Sequence, residues 1–369
     1  MTAETHLNEG IAHLTDSRFE SAEQCFRSAL DIDPGNSAIK GNLALVLHEL
    51  GRTAAARDIL EPLVAAEPAN AAALFNLGRV RLELNDLNGA LTCFDGVLRH
   101  SPADADALMM MGAVMDQQDK LQDAEDYFAE AAQFSPRYVV ANMLRFSSDF
   151  LHVIASKHQL PLPSAKTAFE SDGASGRIVL TTCDRLYLKK YGPAFVRSFA
   201  NYAEAEDLLH LHVLDPDGHS LEAAQQMIDH AGVKHYRVTA ETGSRFESGT
   251  PEKRVWFTCA RFLRLDEWLA KYATPIILMD IDSALQAPPR QLLDATGAAD
   301  LGLFLRRPRR APWLDLVANS NIAMPTDAAR KFFCCVSNYI NWFIEHDRVG
   351  WHLDQCALYC SLRMLQVHG

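Results

Sequence analysis

A 34-residue period runs through the first third of the chain and limits what this part can fold into. Four columns of residue types recur at that spacing. Small residues stand at Gly10, Ala44, Gly78 and Gly112, and alanine stands at Ala22, Ala56, Ala90 and Ala124. Large apolar residues stand at Phe26, Leu60, Phe94 and Phe128, and proline stands at Pro34, Pro68, Pro102 and Pro136. A period of roughly 20 to 50 residues is the signature of stacked structural repeats.

The residue types in these columns indicate one pair of helices in each repeat. Small side chains let two helices approach closely, the large apolar side chain fills the space towards the next repeat, and proline ends the second helix. The pattern resembles the tetratricopeptide repeat over residues 1–136. That resemblance implies a right-handed α solenoid with a concave groove that binds a peptide or protein segment.

Polar residues of the first helix are the candidates for such binding. Asn42 and Asn76 share one phase of this helix, where the other repeats carry Asn8 and Met110. Two interpretations stay open. These amides bind the backbone of an extended peptide, or they belong to a solvated helix face.

The net charge of −12 is unevenly distributed. Residues 1–136 carry 9 Lys and Arg against 22 Asp and Glu, whereas residues 137–369 carry 26 against 25. Such an acidic first part argues against a nucleic-acid partner, because binding to phosphates requires cationic surface. We therefore expect the repeats to recruit a partner with a basic or neutral docking surface.

The rest of the composition predicts a cytoplasmic protein. No stretch approaches the roughly 18 apolar residues that a transmembrane helix needs, and the acidic start lacks the charged and apolar regions of a secretory signal. The eight cysteines form no CxxC pair and stand among apolar neighbours, which favours free thiols in a reducing compartment.

Beyond the repeats, the pattern changes twice. Residues 137–160 keep helical spacing without the repeat columns, which predicts a capping helix over the last repeat. Residues 161–176 contain Pro161, Pro163 and a Gly/Ser-rich end, which predicts a linker.

From residue 177 onwards, short apolar runs alternate with amphipathic helices. Strands are predicted at 178–183, 208–214, 234–238 and 275–279, and helices at 192–202, 221–231 and 256–272. This alternation predicts an α/β domain over 177–369 with a mostly parallel, mixed sheet covered on both faces. Ligands of such sheets bind beyond the carboxyl ends of the strands. The segments 181–184 and 280–282 end two of these strands.

Asp280 and Asp282 carry the most informative chemistry. Two carboxylates separated by one residue would face the same way as the chain leaves a strand, so they can hold one Mg²⁺ or Mn²⁺ ion. Such an ion neutralises the charge on a leaving nucleoside diphosphate. The alternative is a pair of carboxylates that cap a loop.

Five segments, in order, resemble nucleotide-sugar glycosyltransferases of the GT-A type, in particular the retaining glycogenin-like and galactosyltransferase branch. They are Ile178–Asp184 at the first strand, Cys259–Leu265 in the helix before the metal motif, Ile277–Asp282 at the metal motif, Val317–Met324 and His352–Leu358. The resemblance implies a GT-A-like fold and transfer of a sugar, with a UDP-sugar as the expected donor.

The resemblance also implies a role for each matched residue. Asp280 and Asp282 would hold Mn²⁺ or Mg²⁺, with Asp280 shared with the donor, and Arg261 would clamp the donor phosphates or sugar. The nucleoside would be held by Thr181, Thr182 and Asp184. The anomeric carbon would be surrounded by Asn319, Asp354 and Gln355. For single residues the alternatives are a surface arginine at Arg261, a helix cap at Asp354 and a turn residue at Asn319.

Two positions depart from this family pattern. The retaining relatives carry a third metal ligand, a histidine, in a Gly/Lys/Trp-containing stretch near the carboxyl end, and residues 366–369 contain no such stretch. Either His368 takes that role or the domain is incomplete at its C-terminus; His346 and His352 are further candidates. Asn321 occupies the place of an expected small residue, which would narrow the sugar pocket.

A histidine pair and a basic segment are two further candidates for binding. His210 and His212 have a spacing that suits a metal, but without a third ligand we interpret them as surface residues. The basic segment 306–310 could bind donor phosphates, an anionic acceptor or the acidic repeats of the same chain. The alternative is that it is a loop that only keeps the protein soluble.

The sequence thus predicts a metal-dependent glycosyltransferase whose repeats recruit a protein or peptide acceptor. The first alternative is a non-catalytic repeat scaffold that carries an inactive glycosyltransferase-like domain. The second is a nucleotidyltransferase, which would normally have a Gly-rich basic loop after the first strand, where this chain has Thr181–Tyr187 without glycine.

Overall fold

The computed structural model describes residues 1–156, 162–171, 176–243, 246, 250–305 and 316–368. The chain divides into two compact units, residues 1–142 and 143–369. The basic segment 306–310 lies outside the described residues. No helix of the described part has the length and hydrophobicity that crossing a bilayer requires.

The first unit is a solenoid of four helix pairs, one for each 34-residue period, as predicted. Its helices are α1 Ala3–Thr15, α2 Phe19–Ile32, α3 Ser37–Glu49, α4 Thr53–Ala66, α5 Ala71–Glu83, α6 Leu87–His100, α7 Ala105–Gln117 and α8 Leu121–Phe134. Each helix packs against the next along the chain, so every internal repeat has the same neighbours on both sides.

A fifth column of the repeat, which the sequence analysis did not use, starts the first helix of each pair. Its members, also 34 residues apart, are Thr2, Asn36, Asn70 and Asp104. Each side-chain oxygen accepts a hydrogen bond from a backbone N–H in the first turn of the following helix. Such N-caps satisfy donors that the helix itself leaves unpaired, which fixes where every pair begins.

The small-residue column is matched to the large apolar column within each repeat. A Cβ atom added at Gly78 would lie 2.6 Å from the ring of Phe94, and the same approach occurs in repeats one and four. The second repeat combines Ala44 with Leu60, and both are fully buried. The extra methyl group of alanine thus occurs where the partner side chain is smaller.

This match predicts the effect of Gly78→Ala. The added methyl group overpacks the contact with Phe94, and we expect the free energy of unfolding to fall by about 1–2 kcal/mol despite the better helix propensity of alanine. Adding Phe94→Leu should recover part of that loss, because it recreates the pair of the second repeat. Thermal unfolding followed by circular dichroism measures both changes.

Gly41→Ala is the matched control, because no atom lies within 4 Å of a Cβ added at Gly41. This substitution should stabilise helix α3 by up to about 1 kcal/mol. Equal effects of Gly41→Ala and Gly78→Ala would contradict the packing explanation.

The segment predicted as a capping helix over 137–160 has a different structure. It contains a 3-10 helix, Pro136–Met143, and a separate helix α9, Ser148–Ser156. Helix α9 packs against the last two helices of the second unit, and the unit boundary falls at residue 143. Phe150, Leu151 and Ile154 are buried, as their helical spacing predicts. Periodicity alone does not say which helices they pack against.

The second unit contains a mixed seven-stranded sheet with the order β1-β4-β3-β2-β5-β7-β6. The strands are β1 Lys166–Glu170, β2 Arg177–Asp184, β3 Asp207–Leu214, β4 Tyr236–Glu241, β5 Ile276–Met279, β6 Leu301–Leu305 and β7 Leu316–Ala323. The central four, β4, β3, β2 and β5, are parallel, whereas β1 pairs antiparallel with β4, and β7 antiparallel with β5 and β6. The mixed α/β sheet is therefore confirmed.

Strand β1 lies in the segment that was predicted to be a linker. It is a short edge strand with mostly exposed side chains, so it carries no apolar alternation that the sequence analysis could detect.

Helices cover both faces of the sheet. Their bounds are α10 Arg185–Tyr202, α11 Gly218–Ala231, α12 Pro251–Leu263, α13 Leu265–Tyr272, α14 Pro289–Thr296, α15 Asp327–Glu345 and α16 Leu353–His368. One core joins Phe195 of α10 and Ile228 of α11 to the face that carries Val179 and Leu211. Helices α12 and α13, predicted as one helix over 256–272, form two helices that meet at Arg264 and cover the opposite face.

Candidate functional site

Three strands bring the predicted site residues to one edge of the sheet. Because β2 and β5 are parallel neighbours, their carboxyl ends at Asp184 and Met279 lie at the same edge. Strand β7 runs in the opposite direction, so its first half reaches this edge as well, and the Asp280 N–H donates to the Asn319 carbonyl over 2.8 Å. The metal motif and the Asn319 segment are therefore adjacent, as the site prediction requires.

The metal motif leaves strand β5 through a tight turn. The Ser283 N–H donates to the Asp280 carbonyl over 3.0 Å, which places Ile281 and Asp282 at the centre of the turn. Ile281 is buried, Asp280 is partly buried and Asp282 is exposed. Asp282 therefore faces solvent, whereas the side chain of Asp280 contacts the protein interior.

Arg261 of helix α12 is buried and joins the two inner carboxylates. Its Nη1 lies 2.5 Å from Oδ1 of Asp280, and its Nη2 lies 3.3 Å from Oδ2 of Asp354. Nη2 also donates to the Ala318 carbonyl of β7 over 3.0 Å. This set of contacts excludes the alternative of an ordinary surface arginine and places Arg261 between three segments of the chain.

Burial raises the pKa of both carboxyls in this cluster. For Asp280, burial has the largest effect, the charge of Arg261 opposes it, and the nearby charges of Asp354 and Asp282 add to it. For Asp354, burial again raises the pKa, and Arg261 opposes it. The guanidinium is thus the main group that favours the ionised form of the two buried carboxyls.

Asp354 and Gln355 begin helix α16. The Gln355 N–H donates to Oδ1 of Asp354 over 2.9 Å, and Oε1 of Gln355 lies 2.8 Å from Nδ1 of His352. His352 has a φ of +72°, a conformation uncommon outside glycine, so the chain turns sharply before the helix. Asp354 therefore both serves the helix start and contacts Arg261.

Two asparagines of β7 have different positions. Asn319 is exposed. Asn321 is fully buried, and its Nδ2 donates to the Ala318 carbonyl over 3.0 Å. The expectation that Asn321 narrows the sugar pocket is therefore wrong, because its side chain is held in the interior.

The predicted nucleoside residues of β2 do not all face one side. Thr181 points to the same face as Val179 and Cys183, and Thr182 to the opposite face, since strand side chains alternate. Both hydroxyls are buried and have no hydrogen-bond partner among the described residues. Asp184 caps helix α10 by accepting from the Tyr187 N–H over 2.8 Å. The two threonines therefore cannot bind one nucleoside from a common face.

His368 cannot join this site. It lies at the end of α16, fourteen residue steps along the helix from Asp354, which is a rise of about 21 Å. Within the part of the chain that the structure describes, no three His, Cys, Asp or Glu side chains are grouped to hold a metal ion.

His210 and His212 are fully buried, so the prediction that they lie on the surface is wrong. One ring nitrogen of each lies 2.8 Å from the hydroxyl of Thr239 on β4. His212 also lies 3.4 Å from Glu241, which in turn accepts from Arg264 over 2.6 Å. Trp268 of α13, with ring centroids 5.0 and 5.1 Å away, covers both imidazoles.

This network predicts a steep loss of stability in mild acid. Burial lowers the pKa of His210 and of His212, and a proton on His212, together with the charges of Arg237 and Lys271, would lower the pKa of His210 further. Below the ordinary pKa of about 6.5, the unfolded chain binds protons that the folded chain does not, so stability falls as the pH drops. Each such proton contributes up to about 1.4 kcal/mol per pH unit.

Urea unfolding between pH 7 and about 5.5 measures this effect, with the pH range set by the ordinary histidine pKa. All five tryptophans belong to the second unit, so their fluorescence reports on this unit. His210→Gln should make the slope less steep, whereas His219→Gln, at a 97% exposed side chain, should leave it unchanged. Equal slopes in all three proteins would contradict the prediction.

One group of the candidate site was not predicted from the sequence, the Ala318 carbonyl that accepts from Arg261. Every residue carries a backbone carbonyl, so the residue type gave no signal. The only indication was the polar run Asn319–Asn321 inside an otherwise apolar strand, which is typical of an irregular strand.

Comparisons with known proteins concern the solenoid. The model of the tetratricopeptide repeat family matches residues 13–74 and 51–114. A thermophilic TPR protein of Thermus thermophilus is 21% identical, over 38% of this chain and 80% of that one, with a TM-score of 0.37. YrrB, a TPR protein with an unusual peptide-binding site, is 22% identical over 38% of this chain and 72% of its own, with a TM-score of 0.34.

MamA is 19% identical over 38% of this chain and 76% of its own, also with a TM-score of 0.34. A comparison with curated proteins found no match. The family model and the four helix pairs lead to one conclusion. Residues 13–114 of this chain are tetratricopeptide repeats, within a solenoid of four helix pairs that spans residues 3–134.

Proposed function

We propose that the second unit transfers a sugar from a nucleotide-sugar donor, a UDP-sugar in particular, to an acceptor that the repeats recruit. One observation carries the proposal. Arg261, Asp280 and Asp354 come from three separate segments and meet at the carboxyl edge of β2 and β5. The resemblance to GT-A glycosyltransferases implies donor contacts for Arg261 and Asp280 and a place beside the anomeric carbon for Asp354.

The metal motif suits Mg²⁺ or Mn²⁺ by its chemistry. Such ions are usually held by one or two carboxylates together with phosphate oxygens of the substrate, and Asp280 and Asp282 supply two carboxylates at this edge. When bound, the ion neutralises the negative charge of the leaving nucleoside diphosphate. The exposed Asp282 is the more accessible of the two ligands.

Arg261 has a different role in this proposal from the one expected. Its Nη atoms are occupied by two carboxylates and a carbonyl, so it orients Asp280 and Asp354 rather than clamping a phosphate. Asn319, exposed beside the metal motif, is placed to contact the donor sugar. Gln355, whose side chain His352 orients, is placed next to Asp354 for the same purpose.

The acceptor proposal rests on the solenoid. Its strong negative charge favours a protein or peptide with a basic or neutral docking segment. Asn42 is less available for such binding than expected, because its Nδ2 donates to the Ala38 carbonyl of its own helix over 3.0 Å. Asn8 and Asn76 remain the candidates among the asparagines at this phase of the first helix.

Calorimetric titration of the full chain with UDP tests the proposal. One titration is done in the presence of Mn²⁺ and the other with a chelator in place of the metal. We expect binding of UDP only with the metal present. Absence of binding in both conditions would contradict the donor site and favour the alternative of a repeat scaffold with an inactive domain.

A further inference from the structure

Strand β7 contains a bulge next to the candidate site. Leu303 of β6 pairs with Asn321, whereas the next residue, Phe304, pairs with Val317. Residues 318–320 of β7 are therefore left out of the ladder to β6 at the point where β7 passes the metal motif. In a bulge, backbone N–H and C=O groups do not form the hydrogen bonds to the neighbouring strand that they form in a regular strand, so they can bond to other groups.

The Ala318 carbonyl is such a group. It accepts two hydrogen bonds of 3.0 Å each, one from Nη2 of Arg261 and one from Nδ2 of Asn321. A carbonyl oxygen has two lone pairs, so these two donors satisfy it fully. On the other side of the bulge, the Asn319 carbonyl accepts from the Asp280 N–H. The bulge is thus tied to β5 and to Arg261 together.

We infer that Asn321 is a positioning residue for the candidate site: its amide fixes the Ala318 carbonyl, which holds Arg261 between Asp280 and Asp354. This inference rests on the proposed function for its meaning, but the geometry can be tested without a ligand. An apolar or small residue at position 321 would leave the carbonyl with one donor, and the bulge would lose the bond that defines its shape.

The side-chain amide of Asn321 that donates to the Ala318 carbonyl lies in the protein interior. Asn321 is completely buried, and its Oδ1 has no partner among the described residues. Burying an amide with an unmade hydrogen bond is unfavourable, so Asn321 does not serve stability as well as an apolar side chain would. Its contact with the Ala318 carbonyl therefore points to a role in the geometry of the bulge.

Asn321→Ala in the full chain tests the inference, with Asn338→Ala as the matched control. Asn338 is also a buried asparagine of the second unit, and its Nδ2 donates to a backbone carbonyl, that of Ile154, over 2.7 Å. Each variant removes a buried amide that donates to a backbone carbonyl, and Asn338 also donates to Sγ of Cys334 over 3.6 Å, so the readouts below are compared at matched stability.

Two readouts separate a positioning role from a structural one. Hydrogen exchange of the Asp280 amide should be about 10-fold faster in Asn321→Ala at matched stability, because its acceptor belongs to the loosened bulge, and unchanged in Asn338→Ala. The ¹⁵Nε resonance of Arg261 should shift in the first variant only. If, in Asn321→Ala, the Asp280 amide exchanges at the wild-type rate and the Arg261 resonance does not shift, the inference is overturned.

Binding of UDP with Mn²⁺ gives the link to function. In Asn321→Ala the affinity should fall about 10-fold relative to Asn338→Ala. If the wild-type protein binds no UDP, the proposed function fails, while the exchange and resonance data still decide the role of Asn321. If the wild type binds UDP and both variants bind equally well, the positioning role is overturned and the proposed function stands.

Discussion

Arg261→Met is expected to lower the free energy of unfolding of the second unit by about 3 kcal/mol at neutral pH. The substitution keeps most of the side-chain volume but leaves Asp280 and Asp354 close together without a counter-charge. Removing one partner of a buried ion pair costs more than the pair contributes, because the remaining charge stays in a poorly solvated place. We expect the lower end of the usual range, since the Asp280 side chain is 30% exposed.

Urea unfolding followed by tryptophan fluorescence measures this loss. The control is Arg330→Met, which removes an exposed arginine paired with Asp266 over 2.9 Å and should cost less than about 1 kcal/mol. Adding Asp354→Asn to Arg261→Met should recover part of the stability, because one uncompensated charge is gone. Equal losses in the two single variants would contradict the buried position of Arg261.

Asp282→Asn is expected to weaken the binding of UDP with Mn²⁺ at least about 100-fold, which corresponds to about 2.7 kcal/mol. A neutral amide is a poorer ligand for a hard divalent cation than a carboxylate. Because Asp282 is exposed, the stability of the second unit should change by less than about 0.5 kcal/mol. Loss of binding without loss of stability is the specific result expected for a metal ligand.

Asp229→Asn is the control for charge removal. Asp229 is exposed near the end of helix α11, which precedes β4, so it lies at the opposite edge of the sheet. This variant should bind UDP with Mn²⁺ as the wild type does. Unchanged binding in Asp282→Asn would mean that the Asp280–Asp282 turn is only structural.

The repeats were predictable from the sequence because their interactions are local and repeated. Each small residue meets a partner sixteen positions later, as Gly78 meets Phe94, so a single period encodes both the helices and their packing. The mixed sheet was predictable for a similar reason, since apolar runs such as 276–279 are short and clearly bounded. The caps Asn36, Asn70 and Asp104 could have been found by the same comparison of periods.

Features set by distant partners were not predictable. The edge strand β1 has its pairing partner, β4, about seventy residues away, and its own side chains are mostly exposed. His210 and His212 look like a polar alternation in the sequence, whereas the structure buries them beneath Trp268. Their hydrogen bonds to Thr239 compensate for that burial, and no local pattern encodes such a partner.

The candidate site likewise contains features that could be predicted from the sequence and features that could not. The ends of two predicted strands indicated that Asp280 and the segment 181–184 share one edge of the sheet, whereas only the resemblance to GT-A glycosyltransferases implied that Arg261 and Asp354 lie near them. Which atoms Arg261 contacts was not predictable, since that depends on the bulge in β7 and on the burial of Asp354. In the proposed function, Arg261 therefore orients two carboxylates, whereas the resemblance implied contact with the donor.

Turnover of nucleotide sugars by the full chain tests the central proposal most directly. A panel of UDP-, GDP- and ADP-sugars is incubated with the protein and Mn²⁺, and the released nucleoside diphosphate is measured, with a chelator and with Asp282→Asn in parallel. The proposal predicts metal-dependent release from at least one donor by the wild type and by Asp229→Asn, and none by Asp282→Asn. Absence of release from every donor by the wild type, or equal release by Asp282→Asn, would contradict it.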